Sequence, residues 1–312
     1  MSKKVNVLLS VYKPNVHYLE QQLKSLDAQT WDNMEILIHD DCVDERCDTG
    51  IFDRCIQNHP YKVLPYKESN LGYTKAFEYL TENSDGDYIA FCDQDDVWDA
   101  DKLEVSVSCL EKDGTVLVAS DRRLIDENNN VFCDSVRESS NKPWESWSTG
   151  DDILNPNFFT TYAIGMCLVA KGDFARSCVP FSENTGHDKW IIACACVSGG
   201  VSCIEHPLAS YRRHGENVSG VMAGVDTKVD YVNNRVMPHL RLVQEFQKKY
   251  PECECILPAY EFATARKNHN VLKLWKYRKL APDVTKFEIV LAFIPACFVP
   301  VMIRQIRKIS GK

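Results

Sequence analysis

The run Tyr88-Ile89-Ala90-Phe91-Cys92-Asp93-Gln94-Asp95-Asp96-Val97-Trp98 decides how this chain is read. Its first five residues are apolar or aromatic and predict a buried strand, and three carboxylates stand at the C-terminal end of that strand. Acidic side chains this close repel one another and are seldom buried unless paired or bound to a metal. The run therefore calls for a divalent cation or a strongly cationic ligand. In an open α/β sheet, that end of a strand is where ligands bind.

Toward the N-terminus, Val5 to Val11 predicts a first strand, broken by Tyr12-Lys13-Pro14-Asn15. Tyr18, Leu19, Leu23 and Leu26 then recur at helical spacing across His17 to Gln29, and Glu35 to His39 predicts a second strand. This βαβ unit delivers Asp40-Asp41-Cys42 at its strand end, two more carboxylates in the ligand-facing position, unless one of them simply caps the following helix. A helical segment over 48–58 and a strand over 61–65 lead to Asn70-Leu71-Gly72. Asn70 and Gly72 suit a turn in which backbone approaches a ligand. Lys75, in the first turn of a helix over 74–83, can reach a phosphate, although a loop glycine and a surface lysine are the plainer reading.

Toward the C-terminus, 101–111 predicts a helix and 115–119 a strand. The polar stretch 134–156 reads as a loop over the site, with Trp144 and Trp147 either stacking on a sugar or stapling the loop locally. A strand follows over 163–170. Asp188 stands in the first turn of an apolar helix, Trp190 to Val197, where it is either a helix cap or a partly desolvated general base. After a short strand over 200–204, Arg212, Arg213 and His214 gather positive charge and a metal-ligand type in an otherwise acidic protein.

At 312 residues, 45% hydrophobic, the chain is long enough for one large α/β domain plus an appendage. A net charge of -8 argues against nucleic acid as a partner, so any phosphate site must be local. Many of the 14 cysteines lie inside apolar runs, as small hydrophobes in a reducing compartment do. The spacings Cys194/Cys196 and Cys253/Cys255 are tighter than zinc sites use, which favours thiols over zinc. The opening residues read as a strand, too short for a signal peptide.

After Gly224 the pattern turns to charged amphipathic helices over 229–250 and 259–279. Ile289 to Ile303 then carries no charge, is interrupted by Pro295 and Pro300, and is followed by Arg304, Arg307, Lys308 and Lys312. It is short for a bilayer span of roughly 20 residues, and its basic border suits the surface of an anionic membrane. The alternative is a helix packed on the main domain or on a partner subunit.

With these pieces in order, the chain resembles the family 2 glycosyltransferases of the GT-A fold, and in particular the bacterial branch labelled rhamnosyltransferases. The resemblance rests on Leu9-Ser10-Val11-Tyr12, Gln29-Thr30 before Glu35-Ile36-Leu37-Ile38, Asp40-Asp41, Asn70-Leu71-Gly72, Gly86-Asp87-Tyr88 leading into Asp93-Gln94-Asp95-Asp96-Val97-Trp98, His187-Asp188, and Tyr211-Arg212-Arg213-His214-Gly215-Glu216-Asn217-Val218. Phe77 and Glu78 stand where many members of other branches carry asparagine and arginine, and Cys42 stands where a glycine is usual.

The resemblance implies an α/β GT-A domain over 1–222, Rossmann-like, with a mainly parallel sheet and flanking helices. A C-terminal helical extension would cover 223–312, with 289–308 as its membrane-associating part. Ser10, Val11, Tyr12, Asp40 and Asp41 would hold the nucleoside; Asn70, Gly72, Lys75, Gln94, Arg212 and Arg213 would line the nucleotide sugar. Asp93 would sit by ribose and metal, Asp95 would ligate Mg²⁺ or Mn²⁺ with His214 approaching it, and Asp188 would be the base.

The expected reaction is metal-dependent, inverting transfer of a hexose or deoxyhexose to a hydroxyl of a lipid-linked or cell-surface polysaccharide precursor. The donor would be dTDP-rhamnose, with UDP-glucose or UDP-galactose open, and the acceptor a glycan or glycolipid. Such a protein would sit in the cytoplasm on the inner face of the cell membrane, with its C-terminal helices offering a surface for a homodimer. Two other classes fit parts of the chain. A haloacid-dehalogenase-like phosphatase would use Asp93 as nucleophile but leaves Asp188 and His214 without a task. A non-catalytic carbohydrate-binding assembly subunit would bind sugar without turning it over.

Overall fold

The computed structural model describes residues 3–215, 222 and 224–309, with side chains described as far as Arg307. Glu216, Asn217 and Val218 of the last motif, and the basic side chains Lys308 and Lys312, lie outside the described residues. The chain divides into two compact units. The first comprises Met1–Asp151 and Tyr162–His214, the second Asp152–Thr161 and Gly215–Lys312.

Unit 1 is built on one sheet. Its strands are β1 (Val5–Val11), β2 (Met34–Asp40), β3 (Tyr61–Val63), β4 (Tyr88–Cys92), β5 (Val97–Trp98), β6 (Leu117–Ile125), β7 (Val131–Cys133), β8 (Leu168–Lys171) and β9 (Val201–Arg212). They lie in the order β3-β2-β1-β4-β8-β6-β9-β5, with β7 beside β6. β1 pairs in parallel with β2 and β4, and β2 with β3, as βαβ crossovers require. β8 runs antiparallel to both β4 and β6, which leaves β4 and β6 pointing the same way. The sheet is therefore mixed, and the C-terminal ends of β1, β2, β4 and β6 share one edge.

The apolar runs form strands because they are covered on both faces. Val5, Val7, Leu8, Leu9, Ile36, Ile38, Ile89, Ala90 and Phe91 are all fully buried. The helix Val16–Asp27 lays Leu19, Leu23 and Leu26 on this sheet, and its first turn is capped by the Asn15 carboxamide oxygen, which accepts from the His17 and Tyr18 amides. β9 is far longer than the short strand expected at 200–204, because its polar C-terminal half still pairs with β6 and β5. That extension carries Arg212 to the strand's end.

Unit 2 is helical, over Lys228–Tyr231, Met237–Lys249, Leu257–Lys267, Val271–Lys276, Pro282–Phe293 and Val299–Ile309. The helix expected over 259–279 is interrupted at Asn270, whose side chain caps the next turn through the Lys273 amide. Residues 152–161, which the sequence places in the catalytic domain, belong here. Phe158 packs on Phe246 and Phe159 on Phe262, with ring centroids 5.2 and 4.8 Å apart. A buried Arg266 gives its Nε hydrogen to Glu288 at 2.8 Å, and Tyr231 donates to the same oxygen at 2.8 Å. Cys253 and Cys255, expected as thiols, are joined as a disulfide.

The apolar stretch 289–303 is split between two helices. Leu291, Val299 and Ile303 pack into a cluster with Val225, Tyr231 and Val236, whereas Val290, Phe293, Phe298 and Val301 are exposed. Among the described residues, no helix is long and apolar enough to cross a membrane.

Candidate active site

The acidic turn after β4 is tied to the end of β1 by one side chain. Gln94 accepts the Tyr12 amide hydrogen through Oε1 at 2.8 Å and donates from Nε2 to the Tyr12 carbonyl at 3.0 Å. An amide side chain matching both poles of one backbone residue fixes the spacing of the two loops. Ser10 stays half-buried beside them, Val11 is buried, and the Tyr12 ring is 48% exposed, a flat face available to a ligand.

The same turn holds Asp95 and Asp96 on opposite errands. Asp95 Oδ2 lies 2.8 Å from His214 Nε2, joining the β4 turn to the segment that leaves β9. Asp96 is fully buried and its Oδ1 accepts the Arg212 amide hydrogen at 2.9 Å; burial, then the charges of Asp95 and Asp93, push its carboxyl well above the ordinary range.

Arg212 departs from expectation. Read as a diphosphate contact, it is instead fully buried. Its Nε donates to the Asp95 carbonyl at 2.8 Å, and its terminal nitrogens donate to Asn129 Oδ1 and to Gln21 Oε1, each at 2.6 Å, while its plane covers the Tyr18 ring at 4.5 Å. It braces the acidic turn after β4 from beneath. Arg213 is the exposed cation of the pair, and its backbone amide donates to the Ile125 carbonyl.

Asp40 and Asp41 also differ from the reading that has them touch the nucleoside. Asp40 accepts the amides of Cys42 and Cys47 at 2.9 and 2.8 Å. Asp41 accepts the Leu71 and Gly72 amides at 2.7 and 2.8 Å and the Asn70 side chain at 2.9 Å. Both are buried, so they organise the loops over 42–47 and 70–72. Gly72 adopts φ +76°, a conformation that admits glycine without strain. Lys75 is already paired with Glu78 at 2.9 Å and stands 3.8 Å from Glu183.

Asp188 opens the helix His187–Ser198, and its Oδ1 accepts the neighbouring Lys189 amide hydrogen at 2.7 Å. Its charge reaches across to the β4 turn. Burial, then Asp95, then Asp188 raise Asp93 to about 7. Three carboxylates from two distant parts of the sequence thus share one electrostatic field. Next to Asp188, His187 is buried in an aromatic slot, its ring centroid 4.1 Å from that of Phe77 and 5.1 Å from that of Phe91. Burial lowers it to about 4 against the pull of Asp188, so it is a neutral imidazole at physiological pH.

Among the described residues, no group of three or more His, Cys, Asp and Glu is close enough to cage an ion. The Asp95–His214 pair offers one oxygen and one nitrogen. A hard divalent cation fits this set, because it would relieve the repulsion that drives a proton onto Asp93 and could take its remaining ligands from pyrophosphate oxygens and water. Sequence reasoning missed Gln21, Tyr18, Asp96 and Asn129, which brace the site without facing a ligand; only Asp96 stood inside a motif.

Known proteins resemble this chain in both sequence and fold. The sequence model of the family described as "Glycosyl transferase family 2" matches residues 7–167. An uncharacterized glycosyltransferase of Nostoc sp. is 27% identical over 217 residues, 69% of this chain and 66% of that protein. The Escherichia coli UDP-Glc:alpha-D-GlcNAc-diphosphoundecaprenol beta-1,3-glucosyltransferase WfgD is 26% identical over 136 residues, 41% of this chain and 49% of its own length. The chain thus spans less than two thirds of these relatives. Staphylococcus aureus TarS 1–349, solved with UDP-GlcNAc, superposes with TM-score 0.61 at 13% identity, covering 90% of this chain and 82% of that one. The mannosyltransferase PcManGT of Pyrobaculum calidifontis, solved with GDP-Man and Mn²⁺, superposes with TM-score 0.54 at 15% identity, covering 97% and 85%. At these identities the likeness speaks to fold, and the fold is GT-A-like α/β.

Proposed function

The chain belongs to glycosyl transferase family 2, and we propose that it is a metal-dependent, inverting glycosyltransferase that moves a hexose or deoxyhexose from a nucleotide sugar to a hydroxyl of a lipid-linked glycan precursor. The observation that carries this reading is the Asp95–His214 oxygen–nitrogen pair at the end of β4, beside Asp93, whose carboxyl feels the charges of both Asp95 and Asp188. Asp95 and His214 would hold Mg²⁺ or Mn²⁺, which supplies charge neutralisation to a departing diphosphate.

The chain's own residues then have distinct tasks. The Gln94–Tyr12 clasp and the Asp41-ordered turn at Gly72 set the nucleoside walls. Asp188 accepts the proton of the acceptor hydroxyl while that oxygen forms its bond to the anomeric carbon; the bond to the diphosphate breaks and its electron pair leaves with the phosphate oxygen. A single displacement inverts the anomeric centre. Arg213, exposed beside His214 in sequence, is the base free to meet the charge on the leaving group.

The E. coli relative, by name, takes UDP-Glc and a diphosphoundecaprenol-linked acceptor, which supports a nucleotide-hexose donor and a lipid-linked acceptor here. dTDP-rhamnose, favoured by the branch resemblance, is the rival donor. We place unit 2 against an anionic membrane through Phe293 and Phe298, which are 76% and 61% exposed, with Lys286 and Arg304 exposed on the helices Pro282–Phe293 and Val299–Ile309. Pairing of two copies through these helices is the competing use of that surface. The test is a panel of UDP-, GDP- and dTDP-sugars assayed for Mn²⁺-dependent turnover. Asp188→Asn should keep donor binding within about twofold and lower transfer by roughly 10²–10⁴. Equal loss of binding and transfer would count against Asp188 as the base.

A further inference from the structure

Gly186 stands just before the helix His187–Ser198 in an extended conformation, φ −69° and ψ 157°, that any residue adopts. What glycine provides there is room. A Cβ at this position would fall 2.6 Å from Asp188 Oδ1 and 3.5 Å from Tyr73 Cε2. The carboxylate oxygen and the edge of the tyrosine ring are therefore no further apart than these two lengths laid end to end, about 6 Å. Tyr73, Gly186 and Asp188 all belong to unit 1.

Tyr73 begins the helix Tyr73–Glu82, directly after Gly72, whose amide hydrogen Asp41 accepts. Ala76, Phe77 and Leu80 bury the core side of this helix. Three other side chains on it meet the segment that leads to Asp188. Glu78 Oε2 accepts the Phe181 amide hydrogen, Thr74 Oγ1 donates to the Thr185 carbonyl at 3.3 Å, and Lys75 stands 3.8 Å from Glu183. These ties hold the start of the helix at a set distance from the carboxylate. On that fixed frame the Tyr73 ring is 58% exposed. One exposed ring on a protein surface means little by itself. This one is anchored beside the carboxylate proposed as the base.

A general base must lie about 2.6–3.2 Å from the oxygen whose proton it takes. A pyranose built from bonds of about 1.5 Å spans roughly 5–6 Å, and its C–H face meets an aromatic ring at about 3.5–4.0 Å. A sugar laid on Tyr73 can therefore set one of its hydroxyls on Asp188, in the space that Gly186 leaves open. Tyrosine suits the task, because its rigid ring packs the C–H face while its phenolic hydroxyl both donates and accepts at the sugar's polar rim.

We propose that Tyr73 is the platform for the acceptor, carrying a pyranose ring whose reacting hydroxyl points at Asp188. The inference rests on the glycosyltransferase reading with Asp188 as base and adds the residue that meets the second substrate. Tyr73 thereby sets acceptor affinity and leaves donor affinity alone, and Gly186 keeps the way to the base clear.

The test uses the full chain. Calorimetry with Mn²⁺ first finds which of UDP, GDP and dTDP binds, and that nucleotide is then held at saturation. Saturation-transfer NMR follows with the methyl glycosides of glucose, galactose, N-acetylglucosamine and rhamnose. Tyr73→Ala changes an exposed side chain, so Tm should stay within about 2 °C. Glycoside binding should weaken about five- to tenfold, the scale of one aromatic contact. Tyr73→Phe, which keeps the ring, should hold binding within about threefold. Gly186→Ala should weaken glycoside binding at least threefold by filling the space beside Asp188. Nucleotide binding should stay within twofold in all three variants. Absence of glycoside binding in the wild type, or binding unmoved by Tyr73→Ala or by Gly186→Ala, would overturn the proposal. Loss of nucleotide affinity in step with glycoside affinity would overturn it too, by assigning the ring to the donor. Failure of the wild type to bind any of the three nucleotides would instead sink the parent reading, whatever the glycosides do.

Discussion

Asp95 and His214 lie 119 positions apart in sequence, yet their Oδ2 and Nε2 atoms are 2.8 Å apart. One stands just past the end of β4 and the other just past the end of β9, so the pair exists only if the acidic turn and the exit from β9 are both held rigid. Arg212 holds both. Its backbone amide is taken by Asp96 and its Nε by the Asp95 carbonyl.

Arg212→Lys should therefore harm more than a surface exchange would. A lysine carries one ammonium where the guanidinium fork serves Asp95, Asn129 and Gln21 at once. We expect a loss of about 2–3 kcal/mol, roughly 4–8 °C in Tm, together with weaker Mn²⁺-dependent donor binding. Thermal unfolding and donor titration check both. An unchanged Tm would mean that the fork does not brace the turn.

Gly165→Ala tests the packing behind the base. The new Cβ would sit 2.5 Å from His187 Nε2 and 2.9 Å from its Cε1, so the imidazole must move and carry Asp188 with it. Overpacking of this kind costs about 1–3 kcal/mol. Transfer should fall more than donor binding does, and the double variant Gly165→Ala/His187→Ala, which removes the obstructing ring, should recover part of the rate. Lack of any recovery would place the fault elsewhere than at His187.

The pH dependence follows from Asp93. Its folded-state value of about 7 lies above the ordinary carboxylate value of 3.8, so between the two the folded chain holds a proton that the unfolded chain has released. This contribution to stability is fully present below about pH 4 and is lost as pH rises through about 7. In EDTA, Tm should decline over that window, and Asp93→Asn should flatten the decline. Binding of Mn²⁺ with donor near pH 6.5 should release protons, detectable by calorimetry in buffers of different ionisation enthalpy. A Tm that rises from pH 4 to 7 specifically through Asp93 would contradict the assignment.

Phe293→Asp with Phe298→Asp addresses the membrane proposal. Both rings are largely exposed, so the double variant should keep its Tm within about 2 °C, as surface changes do. Co-sedimentation with phosphatidylglycerol liposomes should drop several-fold. Undiminished sedimentation would direct attention to another surface or to pairing of two chains.

Much of this was legible in the sequence, for identifiable reasons. β1, β2 and β4 are apolar runs, the last two ending in acids, and buried strands with ligand-facing ends write that pattern directly. Asp188 at a helix start was equally visible. Other features depended on contacts that no local pattern encodes. β9 alternates too weakly to reveal its length, since Glu205 and His206 are exposed while their backbone still belongs to the strand. Arg212 looked like a surface cation because sequence shows charge and not the carbonyls that surround it. Asp40 and Asp41 looked like ligand contacts, because the backbone amides of Cys47, Leu71 and Gly72 that use them leave no mark on side-chain type. Residues 134–156 read as loop, yet from residue 152 on the chain joins unit 2 through the distant rings of Phe246 and Phe262 and through Asn155, which bonds Cys255 and Ala259 backbone.

The most direct trial of the whole account is calorimetric titration of nucleotide sugars, UDP-glucose and dTDP-rhamnose first, into the wild type and Asp95→Ala, each with Mn²⁺ and with EDTA. Donor should bind the wild type at least tenfold tighter with Mn²⁺ than with EDTA, about 1.4 kcal/mol, and Asp95→Ala should lose that difference. Equal affinity with and without the ion, or a metal effect that survives Asp95→Ala, would contradict the central claim.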